Sequence, residues 1–161
     1  MEFSQILQDV VALERGIKKL YSDIAEDMPN DEISKVLLIL AYESGTHAQR
    51  VESQYKVVGK PDTITDGVTT FLLLIKDRIS KIKEKADPVN VLREGIEIEG
   101  YMEKMYADLA TSYETEEQLG EFLGEKHEVA VKAKELFRKI SADEKKHQVM
   151  LQEIGKKIGY L

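Results

Sequence analysis

Cysteine is absent from the 161 residues of the chain. That excludes disulfides, Cys-ligated zinc, iron–sulfur clusters and thiol nucleophiles, and it removes any argument for an oxidising compartment. Proline is scarce, with three residues, and no Gly/Ser-rich or Pro-rich tract marks a linker. One domain over residues 1–161 is therefore expected, a length that can bury a sizeable core. Long apolar runs are missing too. A stretch such as Phe71 to Ile75 falls far short of the roughly 20 residues that cross a bilayer. The N-terminal Met1-Glu2-Phe3-Ser4-Gln5 lacks the basic flank and apolar stretch of a signal peptide. A cytoplasmic protein without membrane association is the expectation. Basic charge is also in deficit: the net charge is −7 and the pI about 5.1, a surface that repels phosphate backbones and argues against nucleic-acid binding. The basic stretch Lys76 to Lys85 is interleaved with Asp77 and Glu84 and reads as a solvated helix face. Finally, no segment keeps a strand's apolar/polar alternation between tight-turn residues, so the fold class is all-α.

What is present is helical periodicity. Hydrophobic residues at 42% and charged residues at 33% suit amphipathic helices. The first helix is predicted over about residues 3–26, with the stripe Ile6, Val10, Leu13, Ile17, Leu20 and Ile24. Pro29 and Asn30 stop it, and Asn30 can cap a second helix over about 31–57, with Asp31 and Glu32 in its first turn. Gly59, Lys60 and Pro61 end that one. An additional amphipathic helix is predicted over about 63–86, carrying Ile64, Val68, Phe71, Leu72, Ile75, Ile79 and Ile82. Asp87-Pro88 then reads as a cap followed by proline at the first helical position, opening a third helix over about 88–112. A fourth occupies much of 115–158, with a break predicted near Gly120 or Gly124.

The first and third helices echo one another: Glu14 and Glu99 each precede a tyrosine, Tyr21 and Tyr106, by seven residues. The second and fourth helices echo one another through His47 and His147, each following an acidic residue. Two helix pairs joined by a long connection predict a four-helix bundle with one crossover.

Four acidic residues fall on apolar faces. Glu14 lies among Val10, Ile17, Tyr21 and Ile24, and Glu99 among Leu92, Ile96, Met102, Tyr106 and Leu109. Glu43 and His47 follow Val36 and Leu40, and Glu144 and His147 lie between Phe137, Ile140, Leu151 and Ile154. An isolated buried carboxylate costs several kcal/mol or takes up a proton. Four in one core would repel one another, and two divalent cations are the simplest compensation, with neutral imidazoles as further ligands. Residues three or four apart share a helix face, so Glu144 with His147, and Glu43 with His47, can each serve one site. A shell of oxygen and imidazole donors suits iron or manganese better than a thiolate-loving metal. His127 has no acidic partner on an apolar face and reads as a surface residue. Tyr21 and Tyr106 read either as ordinary core tyrosines or as hydrogen-bond donors near the metals.

At these residues the chain resembles the ferritin-like superfamily, and within it the rubrerythrin-like diiron proteins. The family pattern is one Glu from each of two helices and Glu-x-x-His from each of the other two. Glu14 and Glu99 look like the single glutamates, and Glu144-Lys145-Lys146-His147 matches Glu-x-x-His. The resemblance implies a ferritin-like four-helix bundle with a long crossover carrying an extra helix. It implies two iron ions, with manganese or zinc as substitutes, held by Glu14, Glu43, His47, Glu99, Glu144 and His147. Two departures stand out. Ser44 occupies the place where Glu-x-x-His would put Glu before His47, with Glu43 one position earlier as its substitute. Met102 and Glu103 follow Glu99 where rubrerythrins proper carry another Glu. Without cysteine there is no rubredoxin domain, so electrons would come from a separate donor protein. The resemblance implies peroxide or dioxygen reduction by a homo-oligomer, a dimer being favoured. The alternatives are iron storage or delivery, and a metal-free helical bundle that serves as an interaction module.

Overall fold

The computed structural model describes residues 3–55, 66–113 and 125–161, with side chains over 5–54, 67–113 and 128–161. Five helices make up the described residues: α1 (Phe3–Asp27), α2 (Asp31–Tyr55), α3 (Asp66–Glu84), α4 (Pro88–Ser112) and α5 (Glu125–Lys157). The architecture is the all-α, ferritin-like bundle that the periodicity predicts. α1 packs along α2, and α4 along α5; the two pairs close into a bundle through α2 and α5. α3 lies outside, against α4 and, more sparsely, α1. Among the described residues no helix is long and apolar enough to cross a membrane.

Local chemistry sets the helix ends. The Asn30 side chain accepts a hydrogen bond from the Ile33 amide at 3.0 Å and caps α2. The Ser34 hydroxyl donates back to the Ala25 carbonyl at 2.8 Å, tying the α1–α2 corner. Asp87, in extended conformation, accepts from the Asn90 amide at 3.1 Å with Pro88 next in the chain. Asn90 in turn donates to the carbonyls of Lys81 and Lys85 at 3.1 and 2.6 Å, satisfying groups at the C-terminal end of α3. One corner thus stops α3 and starts α4. Gly159, with φ of 77°, ends α5, and the Tyr160 amide reaches the Gly155 carbonyl at 2.9 Å.

The predicted stripes form the core. Val10, Ile17, Ile33, Leu37, Leu40, Ile75, Ile82, Leu92, Ile98, Ile140 and Leu151 are buried, and full burial of each contributes about 1.5–3 kcal/mol. Ile24, Phe71 and Ile79 are partly buried against them. α3 turns Val68, Leu72, Ile75 and Ile82 inward, so the crossover helix covers the bundle rather than standing free. The predicted end of the second helix at Gly59-Lys60-Pro61, Ile64, the break near Gly120 or Gly124 and the side chain of His127 lie outside the described residues.

The Asp87 carboxyl is held below its ordinary value, chiefly by the hydrogen bond from the Asn90 amide. A depressed folded-state pKa contributes stability that is present above the unfolded pKa and lost as pH falls through the folded one. Asp87→Ala is therefore expected to lower Tm by about 3 °C at neutral pH. The difference from the parent protein should vanish in acid, below the ordinary aspartate range. Thermal melts across pH check this.

Candidate metal centre

The four long helices each deliver side chains to one region of the core. α1 brings Glu14, α4 brings Glu99, α2 brings His47, and α5 brings both Glu144 and His147. Glu14, Glu99 and Glu144 are 0%, 1% and 1% exposed, and both imidazoles are buried. His47 Nδ1 lies 2.8 Å from Glu144 Oε1 and 3.5 Å from Glu14 Oε1. His147 Nδ1 lies 3.0 Å from Glu144 Oε2 and 3.6 Å from Glu99 Oε2. Two groups result, Glu14–His47–Glu144 and Glu99–Glu144–His147, each with ligand atoms within 4.8 Å of one another. Glu144 belongs to both and offers one oxygen to each side. The two imidazole rings stack beside it with centroids 5.8 Å apart.

The tyrosines cross between the echoed helices. The Tyr21 hydroxyl of α1 donates to Glu99 of α4 at 3.0 Å, and the Tyr106 hydroxyl of α4 donates to Glu14 of α1 at 2.7 Å. Each tyrosine serves the glutamate of the other helix rather than its own. Gly95, one turn before Glu99, makes room for this: a Cβ there would meet Leu151 at 3.2 Å and the Tyr21 hydroxyl at 3.5 Å. Both phenols are pushed well above their ordinary values, by burial first and then by the surrounding carboxylates. They remain protonated donors.

The imidazoles are held from outside by a second exchange. His147 Nε2 contacts Glu43 of α2, and His47 Nε2 lies 3.3 Å from Asp143 of α5. Glu43 stands outside both three-residue groups, with its side chain 43% exposed. One position along a helix rotates a side chain by about 100°, so the residue before Ser44 points to the rim, while Ser44 is buried. Asp143 is not among the residues that the apolar stripes single out. Its signal was available: an acidic residue precedes the Ser44 and Glu144 positions alike, as Glu43 and Asp143.

An open groove of about 290 Å³ runs between α2 and α5, with Glu43, His47, Arg50, Lys139 and Asp143 among its walls. It brings solvent to the His47 side of the cluster. Elsewhere Glu94 is also buried, but the Arg78 guanidinium pairs with it at 3.0 Å.

The donors fit a pair of cations. Glu14 Oε2 is buried and has no hydrogen-bond partner. A native protein rarely leaves a carboxylate oxygen so, because its desolvation goes uncompensated. Without a cation, protons must balance the cluster. Burial drives the His47 imidazolium down, but hydrogen bonds and charge from Glu14 and Glu144 outweigh it and carry the group up to about 10. His147 is carried to about 11 against the same burial effect, by Glu144 and Glu99. Burial and the charges of Glu99 and Glu14 push Glu144 well above the carboxylate range. Glu99 is held below that range: burial opposes its ionisation, but hydrogen bonds from Glu144, His147 and Tyr21 prevail. These groups share protons and titrate as a unit. Oxygen and nitrogen donors without thiolate suit iron, manganese or zinc.

A helical bundle that buries a carboxylate–imidazole cluster of this kind defines a protein of the ferritin-like superfamily. The sequence pattern of rubrerythrin matches residues 5–155, and the chain belongs to the rubrerythrin family. Membership supports a diiron-carboxylate protein. Neither a curated protein nor a solved structure matches the chain.

Metal must displace protons from this cluster. Loading at neutral pH is expected to release at least about two protons per chain, one from each imidazolium and any held on Glu144, and affinity should fall as pH falls. Calorimetry in buffers of different ionisation enthalpy measures both. The raised histidines also set the behaviour of the metal-free protein. Their contribution to stability is full below the unfolded pKa near 6.5 and is lost as pH rises through about 10 to 11. Melting temperatures of the metal-free protein should therefore drop across that alkaline window. Glu43→Gln and Asp143→Asn should each weaken metal binding by ~10–100-fold with the fold intact. Metal titration together with circular dichroism checks that outcome.

Proposed function

We propose that the protein is a diiron oxidoreductase that reduces peroxide or dioxygen. The observation carrying this reading is the pair of buried three-residue groups joined through Glu144. Glu14, His47 and Glu144 would hold one iron ion, and Glu99, Glu144 and His147 the other. When bound, two Fe(II) ions supply the two electrons that peroxide takes up with two protons to give two waters.

The chain's own residues set the conditions for that chemistry. Tyr106 and Tyr21 fix the carboxylates of Glu14 and Glu99 by donating to one oxygen of each. Because both phenols stay protonated, they also keep a proton close to each glutamate. Asp143 and Glu43 hold the outer nitrogens of His47 and His147, which turns each Nδ1 inward and raises its basicity as a ligand. Away from the groove, the apolar core keeps bulk water from the cluster and strengthens the charge interactions inside it. The groove beside His47 favours a small oxidant entering from the α2–α5 side. These 161 residues carry no cysteine, so re-reduction through a thiolate-bound redox centre would come from a donor outside them. Storage by the same residues would require a closed multimeric shell.

The test is anaerobic Fe(II) loading, iron analysis, and rapid mixing with peroxide. Oxidation at least about tenfold faster than the buffer control is expected, with about two iron ions bound per chain. A rate equal to the control rejects the reading, and a closed shell by light scattering favours storage. Glu144→Ala removes the member common to both groups and should reduce bound iron to less than about one ion per chain.

A further inference from the structure

We infer that the metal centre takes a small external monocarboxylate, of formate or acetate size, at the position where Ser44 stands in place of a protein carboxylate. The inference rests on the diiron reading above and concerns what completes that centre.

α2 and α5 present matching segments, Glu43-Ser44-Gly45-Thr46-His47 and Asp143-Glu144-Lys145-Lys146-His147. Their histidines both turn Nδ1 toward Glu144, and their leading acidic residues hold each other's histidine from outside. Ser44 therefore occupies on α2 the register position that Glu144 occupies on α5. It is 1% exposed and lies three residues before His47, on the same helix face. Compared with glutamate, serine lacks a CH2–COO⁻ fragment, which is acetate less one hydrogen.

Charge points the same way. Among the fully buried groups, two divalent ions against Glu14, Glu99 and Glu144, with neutral imidazoles, sum to one net positive charge. Glu43 and Asp143 are not free to supply the missing carboxylate, because each holds an outer imidazole nitrogen at the rim. A monoanion from solution neutralises the excess and brings two oxygen donors. The groove between α2 and α5 opens to solvent beside His47, three residues from Ser44, and its walls carry Arg50 and Lys139 as well as Glu43 and Asp143.

The experiment uses the full chain loaded with Co(II), which reports ligand changes in its visible spectrum without redox chemistry. Bound cobalt is counted first. Fewer than two ions per chain rejects the diiron reading itself, and this inference with it. With two bound, acetate titrated against chloride of equal ionic strength should change the spectrum saturably. By reciprocity, acetate should tighten Co(II) binding about tenfold. Ser44→Ala should keep both effects. Ser44→Glu, which restores the carboxylate within the chain, should bind two Co(II) ions and lose both. Should Ser44→Glu fail to fold by circular dichroism, Ser44→Asp replaces it, and the linkage in the parent protein decides alone. The inference is overturned if the parent protein's spectrum and affinity ignore acetate, or if the carboxylate variant responds as the parent does.

Discussion

Three carboxylates buried in one small volume govern the rest of this molecule. Removing Glu14, Glu99 and Glu144 from water together is tolerable only where positive charge lies among them. His47 and His147 supply it as imidazolium ions when protons are the available cations, and divalent metals supply it more completely. The same constraint accounts for the high proton affinity of both histidines and for the protonated tyrosines. Tyr21, Tyr106, Glu43 and Asp143 each bring a hydrogen-bonding contact to it.

That constraint also ties the helices together. No helix completes its own part of the site. Tyr21 on α1 serves Glu99 on α4, and Tyr106 on α4 serves Glu14 on α1. Glu43 on α2 contacts His147 on α5, and Asp143 on α5 contacts His47 on α2. The exchange is reciprocal in both pairs, as expected of a bundle built from two similar helical hairpins. A shift of one hairpin against the other breaks contacts on both sides at once, so packing and site geometry are enforced by the same interactions. α3 contributes from outside by burying its apolar stripe on the bundle and ending at the Asp87–Asn90 corner that begins α4.

The symmetry fails at one pair, Ser44 and Glu144. Because Glu144 alone serves both ligand groups, the centre depends on it more than on any other side chain. The open groove lies between α2 and α5, where those two helices meet less closely than the partners within each hairpin, and it reaches the cluster at His47.

Much of this was legible in the chain itself. Helical periodicity marked all five helices, because apolar spacing of three and four residues is a local property that burial merely uses. Asn30, Asp87 and Pro88 marked helix starts for reasons confined to a few neighbouring atoms. Glu14, Glu99, Glu144, His47 and His147 stood out because charged or imidazole groups on an apolar stripe demand an explanation. Tertiary structure alone decided which partners met. Nothing in the spacing of Glu14 and Tyr21 told that Tyr21 would reach Glu99, since that contact depends on how two helices 78 positions apart in sequence face each other. Nor could spacing tell that Glu43 would reach His147. That contact follows from a rotation of about 100° around α2 and from the nearness of α5, which only the packed bundle fixes.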